Sequence, residues 1–185
     1  MGYAGLVEKQ KAFFDTGKTK KTGFRLFYLN KLLKWMEENE NQIAEALNQD
    51  SGRSGVNENT AEIESVKEDI RYTMKHLTGW VRPRRVKTLD VRFPSASFVY
   101  KEPYGVVLIM TPWNYPFQLT ILPLIGAISA GNCVVLKPST YSVHTLTMIK
   151  NMIREVFPTG YVTVVTGTTE ENEELLNEKF DYIFF

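Results

Sequence analysis

Two short strings carry the residue types of a reactive small-molecule site. The first is Thr111-Pro-Trp-Asn-Tyr-Pro-Phe117, which follows the apolar run Gly105 to Met110, and the second is Gly131-Asn-Cys-Val-Val-Leu-Lys-Pro-Ser139. Pro112 has no backbone donor and turns the chain out of a sheet, so the amide of Asn114 falls just beyond a strand end. Lys137 places a cation at the end of the next apolar run. Residues that leave a strand at its carboxyl end lie where open α/β sheets take up ligands. A fixed amide donor there stabilises an oxygen that gains negative charge during a reaction, and an ammonium at a strand end needs a partner or a ligand oxygen. Each residue also has a plainer reading. Asn114 before Tyr115 and Pro116 makes a good helix N-cap, and Lys137 could line the sheet edge while its head reaches water.

The elements that must position these groups follow from periodicity. Leu29, Leu33, Met36, Ile43 and Leu47 recur at helical spacing from Leu26 to the break near Asp50 and Gly52, which predicts one long amphipathic helix. Ile63, Val66, Ile70, Met74 and Leu77 predict a second, stopping before Gly79 and Pro83, and a shorter helix spans Leu6 to Phe14. Residues 1–81 thus form a helical leader. After a turn-rich bridge the pattern changes to strand, helix, strand, helix, strand. The strands are Gly105 to Met110, Cys133 to Lys137, Val162 to Val165 and Tyr182 to Phe185. The helices lie near Leu119 to Ala130, Val143 to Phe157 and Glu170 to Glu178, with Leu146, Ile149, Ile153 and Val156 as the inward face of the middle one. Strands without strict alternation, separated by helices, are read as buried on both faces of a parallel sheet. The fold class is α/β, a helical leader followed by a doubly wound, Rossmann-like parallel sheet over residues 102–185. Within the bridging segment 82–101, short pieces at Val86 to Val91 and Phe98 to Lys101 pair into a small separate sheet.

Composition narrows the partners. With 22 basic and 21 acidic residues the net charge is +1, so no overall field favours nucleic acid or a membrane surface. The apolar stretch Phe117 to Leu136 is interrupted by Gln118, Pro123, Gly126, Gly131 and Asn132, and reads as helix, turn and strand rather than a span. No signal peptide is read in the first twenty residues, and the expected location is the cytoplasm.

Several patterns do not add up to a site. Cys133 lies in an apolar run with no base beside it in sequence and is read as an inert core thiol. Asp15-Thr16-Gly17 resembles an aspartic protease triplet without its second copy, and Gly17-Lys18-Thr19 resembles a phosphate loop with Ala12 where its first glycine must stand. His76 and His144 offer no ligand spacing, so no metal is expected. The basic run Arg82 to Lys87 lacks interleaved aromatics and is read as surface or interface.

Taken together, Glu102-Pro-Tyr-Gly-Val-Val-Leu-Ile-Met-Thr-Pro-Trp-Asn-Tyr-Pro-Phe-Gln118, Pro123-Leu-Ile-Gly-Ala127 and Ala130 to Ser139 resemble the NAD(P)-dependent aldehyde dehydrogenase superfamily, its short, fatty-aldehyde-type branch above all. Gly79 to Val86 and Phe180 to Phe185 add to the likeness. The resemblance implies oxidation of an aldehyde to a carboxylic acid with NAD or NADP, in a homodimer bridged by the small sheet. It gives Asn114 the oxyanion donor role and Tyr115 a place in the substrate funnel. It puts Lys137 on the adenosine ribose, with Pro138 and Ser139 opening the next helix under the nucleotide, and it lays Met110, Thr111, Pro112 and Trp113 along the nicotinamide. Gly167 either lets the backbone approach the adenine or serves a turn. At Thr140 the sequence departs from the family, which commonly has a glutamate there. Threonine cannot repel a 2′-phosphate, so NAD and NADP both stay open.

The resemblance also implies that the pyrophosphate turn, the general base and the nucleophilic cysteine lie beyond Phe185, so the 185 residues alone are expected not to turn over aldehyde. Two other readings share the same residues. One is a noncatalytic nucleotide-binding or protein-association module, and the other is part of an acyl-group reductase on the same scaffold.

Overall fold

The computed structural model describes residues 3–51, 56–88, 95–167 and 169–185. The leader comprises α1 (Tyr3–Asp15), a 3-10 turn (Lys18–Lys20), α2 (Thr22–Glu38), α3 (Glu40–Ser51) and α4 (Val56–Trp80). Strands β1 (Arg84–Val86) and β2 (Ser97–Val99) form the bridge. Then come β3 (Val106–Met110), α5 (Gln118–Ala130), β4 (Cys133–Lys137), α6 (Val143–Val156), β5 (Val162–Val164), α7 (Thr169–Leu176) and β6 (Tyr182–Phe184).

The main sheet has the order β5-β4-β3-β6 with every pair parallel. The chain steps outward from β3 to β4 to β5, then returns to the far side of β3, which is the winding of a doubly wound sheet and puts its switch point beside β3. Register aligns the strand ends, with Met110 opposite Lys137, Leu136 opposite Val164 and Ile109 opposite Phe184. All five residues of β4 and the first four of β3 are buried, as strands covered on both faces should be. The small sheet is present as an antiparallel β1–β2 pair, its first strand starting two residues earlier than expected; residues 89–91 lie outside the described residues.

Three expectations need correction. The long helix from Leu26 is two helices, because Asn39 (φ −121°, ψ 22°) leaves the helical basin and both its backbone and side-chain N–H groups donate to the Trp35 carbonyl. β6 is not buried on both faces. Tyr182, Ile183 and Phe184 keep 43–45% of their surface exposed, since β3 is the one neighbour of this edge strand among the described residues. On α6, Thr145, Met148 and Met152 join the buried face, while Leu146 stays half-buried.

The leader packs into the same core as the sheet. Arg25, in line with Leu29, Leu32 and Met36 on the apolar stripe of α2, is 5% exposed. Its guanidinium donates to Thr19 O (2.7 Å), Lys20 O (3.0 Å) and Ser129 O (3.0 Å). The last of these is a terminal carbonyl of α5. Gly131 closes α5 in the left-handed region (φ 99°) with the paired bonds of a Schellman cap, and a Cβ there would stand 2.5 Å from the guanidinium. Asn132 then joins three elements, accepting from Gly105 N (3.0 Å) and donating to Ala127 O (3.1 Å).

Arg25→Leu would strand three carbonyls in an apolar setting. The unfolding free energy should fall by about 3 kcal/mol, read as an earlier urea midpoint at unchanged slope. A midpoint that does not move would show that the guanidinium holds nothing together.

Candidate functional site at the carboxyl edge

Thr111 leaves β3 with its N–H donating to Lys137 O (3.2 Å), so the exits of β3 and β4 stay in register. The Thr120 hydroxyl gives its proton to Pro116 O (2.7 Å), which leaves Thr111 Oγ1 as the donor in the 2.8 Å contact between the two threonines. That pair pins both ends of the loop to the first turn of α5. Tyr115 completes the turn with φ 45°, a left-handed conformation that a bulky residue adopts only when its surroundings demand it. Trp113, Asn114 and Tyr115 project outward, the two aromatics 65% and 60% exposed.

These three residues line a cleft of about 450 Å³ together with Glu62, Tyr141 and Ser142. Its second wall is the exit of β4, held by Ser142 Oγ donating to Trp113 O (3.1 Å).

The cap reading of Asn114 fails on geometry. The first amides of α5, Phe117 N and Gln118 N, donate to the Glu62 carboxylate at 2.9 and 2.7 Å, and Glu62 is only 5% exposed. In the same way His144 N and Thr145 N at the start of α6 donate to Asp50 at 3.0 and 2.7 Å. Each helix start already holds an anion, which is also the favourable end of its dipole for one. Asn114 is exposed and makes no hydrogen bond among the described residues, so its amide is available.

Lys137, the last residue of β4, does not itself line this cleft. It is 6% exposed, and its ammonium reaches the Pro138 carbonyl at 3.4 Å, a long contact. Burial lowers its pKa below the ordinary lysine value, with the charge of Glu171 acting in the other direction. Ser139 accepts from Tyr141 N (3.2 Å), Thr140 is exposed, and α6 begins only at Val143, so Pro138 and Ser139 precede the helix instead of opening it. Gly167, beyond β5, is not among the glycines with a positive φ. It is constrained by space, since a Cβ there would meet Glu171 Oε2 at 2.8 Å and Tyr3 Oη at 3.1 Å.

Cys133 is fully buried, and burial, then the charge of Asp15, push its thiol up to about 12, so it is not a thiolate near neutral pH. Among the described residues no group of His, Cys, Asp and Glu could hold a metal ion, and no helix is long and apolar enough to cross a membrane.

Sequence reading missed Glu62, Asp50, Arg25 and Glu171. Two of them left a trace: Glu62 precedes Val66 and Ile70 at spacings of four, and Arg25 precedes Leu29 by four, each a charge placed on an apolar stripe.

The profile of the aldehyde dehydrogenase family matches residues 5–185. The chain is 43% identical over 175 residues to the 4,4'-diaponeurosporen-aldehyde dehydrogenase of Staphylococcus aureus, covering 95% of this chain and 38% of that protein. It is 40% identical over 179 residues to mouse aldehyde dehydrogenase family 3 member B3, covering 97% and 37%. The structure superposes on that of Staphylococcus aureus AldH in a substrate-bound state with a TM-score of 0.93 at 41% identity, covering 98% of this chain and 40% of that one. The fold is shared with GapN of Methanocaldococcus jannaschii, solved in complex with NADP, at a TM-score of 0.81 and 23% identity over 99% of this chain and 40% of that one. The chain thus spans about 38% of the length of the curated relatives it matches.

Asn114→Ala should change the unfolding free energy by less than about 0.5 kcal/mol, whereas Glu62→Ala should lower it by about 1–2 kcal/mol. Equal losses would return the cap role to Asn114. Burial raises the pKa of Glu62 above its ordinary 4.5, with the Gln118 and Phe117 amides pulling it down. A raised carboxyl binds a proton in the folded state that the unfolded chain has already released. Its stabilising contribution is therefore full below 4.5 and is lost as pH rises through the folded value. Relative to Glu62→Gln, the protein should lose stability between pH 4.5 and neutrality; a gain over that window would reverse the assignment.

Proposed function

This chain belongs to the aldehyde dehydrogenase family, and from that premise we propose that it forms the cofactor-binding and oxyanion-stabilising part of an enzyme that oxidises aldehydes to carboxylic acids with NAD or NADP. The observation that carries the reading is Asn114, whose amide is relieved of capping by Glu62 and projects into the cleft between the exits of β3 and β4.

The residues fit a dinucleotide on one count. Lys137 is a buried cation whose acceptor sits at 3.4 Å, so ribose hydroxyls would complete its hydrogen bonding. On this reading Ser139, Thr140 and Gly167 would serve the adenosine end of the cofactor, and Met110, Thr111, Pro112 and Trp113 the nicotinamide end. The nicotinamide, when bound, accepts the hydride. The chain's own share is to place the aldehyde oxygen where Asn114 donates to it as negative charge develops, with Tyr115 as a wall of the substrate funnel. Losing such a donor lowers kcat by about 100- to 1,000-fold in enzymes of this kind. The nucleophilic thiolate has to come from a residue other than Cys133, which is buried and protonated. The β1–β2 pair, with Phe98, Val99 and Tyr100 exposed, is assigned the bridging role in a homodimer, and the cytoplasm remains the proposed location.

One observation favours a second reading. The β6 edge leaves Tyr182, Ile183 and Phe184 exposed, which suits a noncatalytic protein-association module.

The 185-residue chain, incubated with aldehyde and NAD, should give no NADH absorbance, and iodoacetamide should not label native Cys133 at neutral pH. The same chain should bind NAD by calorimetry, with Lys137→Met weakening it about tenfold. Turnover by the chain, or a titration without heat, would sink the reading.

A further inference from the structure

A second charged group stands at the Lys137 corner. β5 pairs with β4 through Val164 and Leu136, and three residues on the chain reaches Gly167, against which Glu171 of α7 lays its carboxylate beside the Tyr3 hydroxyl. Gly167 is what admits that carboxylate, since any side chain there would displace it. Thr140, three residues beyond Lys137, brings no charge to the same exit.

Resting on the cofactor reading above, we propose that Glu171 is a specificity-determining residue that disfavours a ribose 2′-phosphate and leaves the corner suited to a free 2′-hydroxyl. A lone buried ammonium attracts a phosphate dianion more strongly than a neutral hydroxyl. A carboxylate close enough to be felt at Lys137 offsets that preference, and it repels the dianion directly. Glu171 acts on the Lys137 ammonium in this sense, opposing the effect of burial. Glu174, on the same helix, acts on Tyr3 and does not figure among the groups acting on Lys137.

Equilibrium binding separates this role from a general charge effect. 5′-AMP and adenosine 2′,5′-bisphosphate carry the two alternatives on the smallest probes that reach the corner. In calorimetric titrations of the 185-residue chain, Glu171→Gln should shift the affinity ratio toward the bisphosphate by about tenfold. Glu174→Gln, which removes the same formal charge, should leave the ratio unchanged. Equal shifts in the two variants would make the effect a matter of net charge and overturn the assignment, as would an unchanged ratio in Glu171→Gln. If neither probe binds the unsubstituted chain, the cofactor reading itself falls and this inference with it.

Discussion

The two helices that flank the ligand edge are held at all four ends by charged side chains from the leader. Glu62 of α4 and Asp50 of α3 accept the first amides of α5 and α6. Arg25 and Lys31 of α2 donate to their last carbonyls, Arg25 to Ser129 O and Lys31 to Glu155 O and Val156 O, both at 2.8 Å. In every case the sign of the charge suits the helix end it meets, carboxylates at the amino termini and cations at the carboxyl termini. Orphan amides and carbonyls are an obligatory debt of every helix, and satisfying them from another layer ties that layer in place. Among the described residues the leader helices and the sheet therefore share one hydrophobic core.

That arrangement decides what the strand-exit loops are free to do. Had α5 been capped from its own preceding loop, the residue to do it would have been Asn114, and its amide would have pointed back into the helix. With the cap supplied from 55 residues away, the loop can be shaped for the cleft instead. The strained Tyr115 turn and the Thr111–Thr120–Pro116 chain of hydroxyls are the local means of holding it. Strain of this kind persists only where neighbouring contacts over-determine the backbone.

The strands, and the residues at their carboxyl ends, were legible because their signals are local. An unbroken apolar run followed closely by proline marks a buried strand and its exit at Met110 and at Lys137, and apolar runs with helices between them imply a parallel sheet. Cys133 to Lys137 match the observed strand residue for residue. What was not legible depends on partners distant in sequence. The caps span 55 to 125 residues, and no window of sequence shows that Glu62 will meet Phe117 or Lys31 will meet Val156. The helix break at Asn39 escaped notice for a different reason: the apolar spacing continues across it, so periodicity sees one helix where a single asparagine makes two. β6 misled because its composition is that of a buried strand while its position in the sheet is an edge.

The same caps constrain where a negatively charged ligand can sit. Helix amino termini at a sheet's carboxyl edge are the usual seats for phosphate, through their free amides and their dipole. Here the starts of α5 and α6 already hold carboxylates, so a phosphate approaching either would meet a like charge in place of open donors. The buried lysine at the β4 exit is Lys137, with the charge of Glu171 acting on it. A ligand with both hydroxyls and phosphates would accordingly place its hydroxyls at this corner and carry its phosphates past it, beyond the two occupied helix starts. On the proposed reading, the amide at the β3 exit and the cation at the β4 exit divide the edge according to which helix ends the leader has already filled.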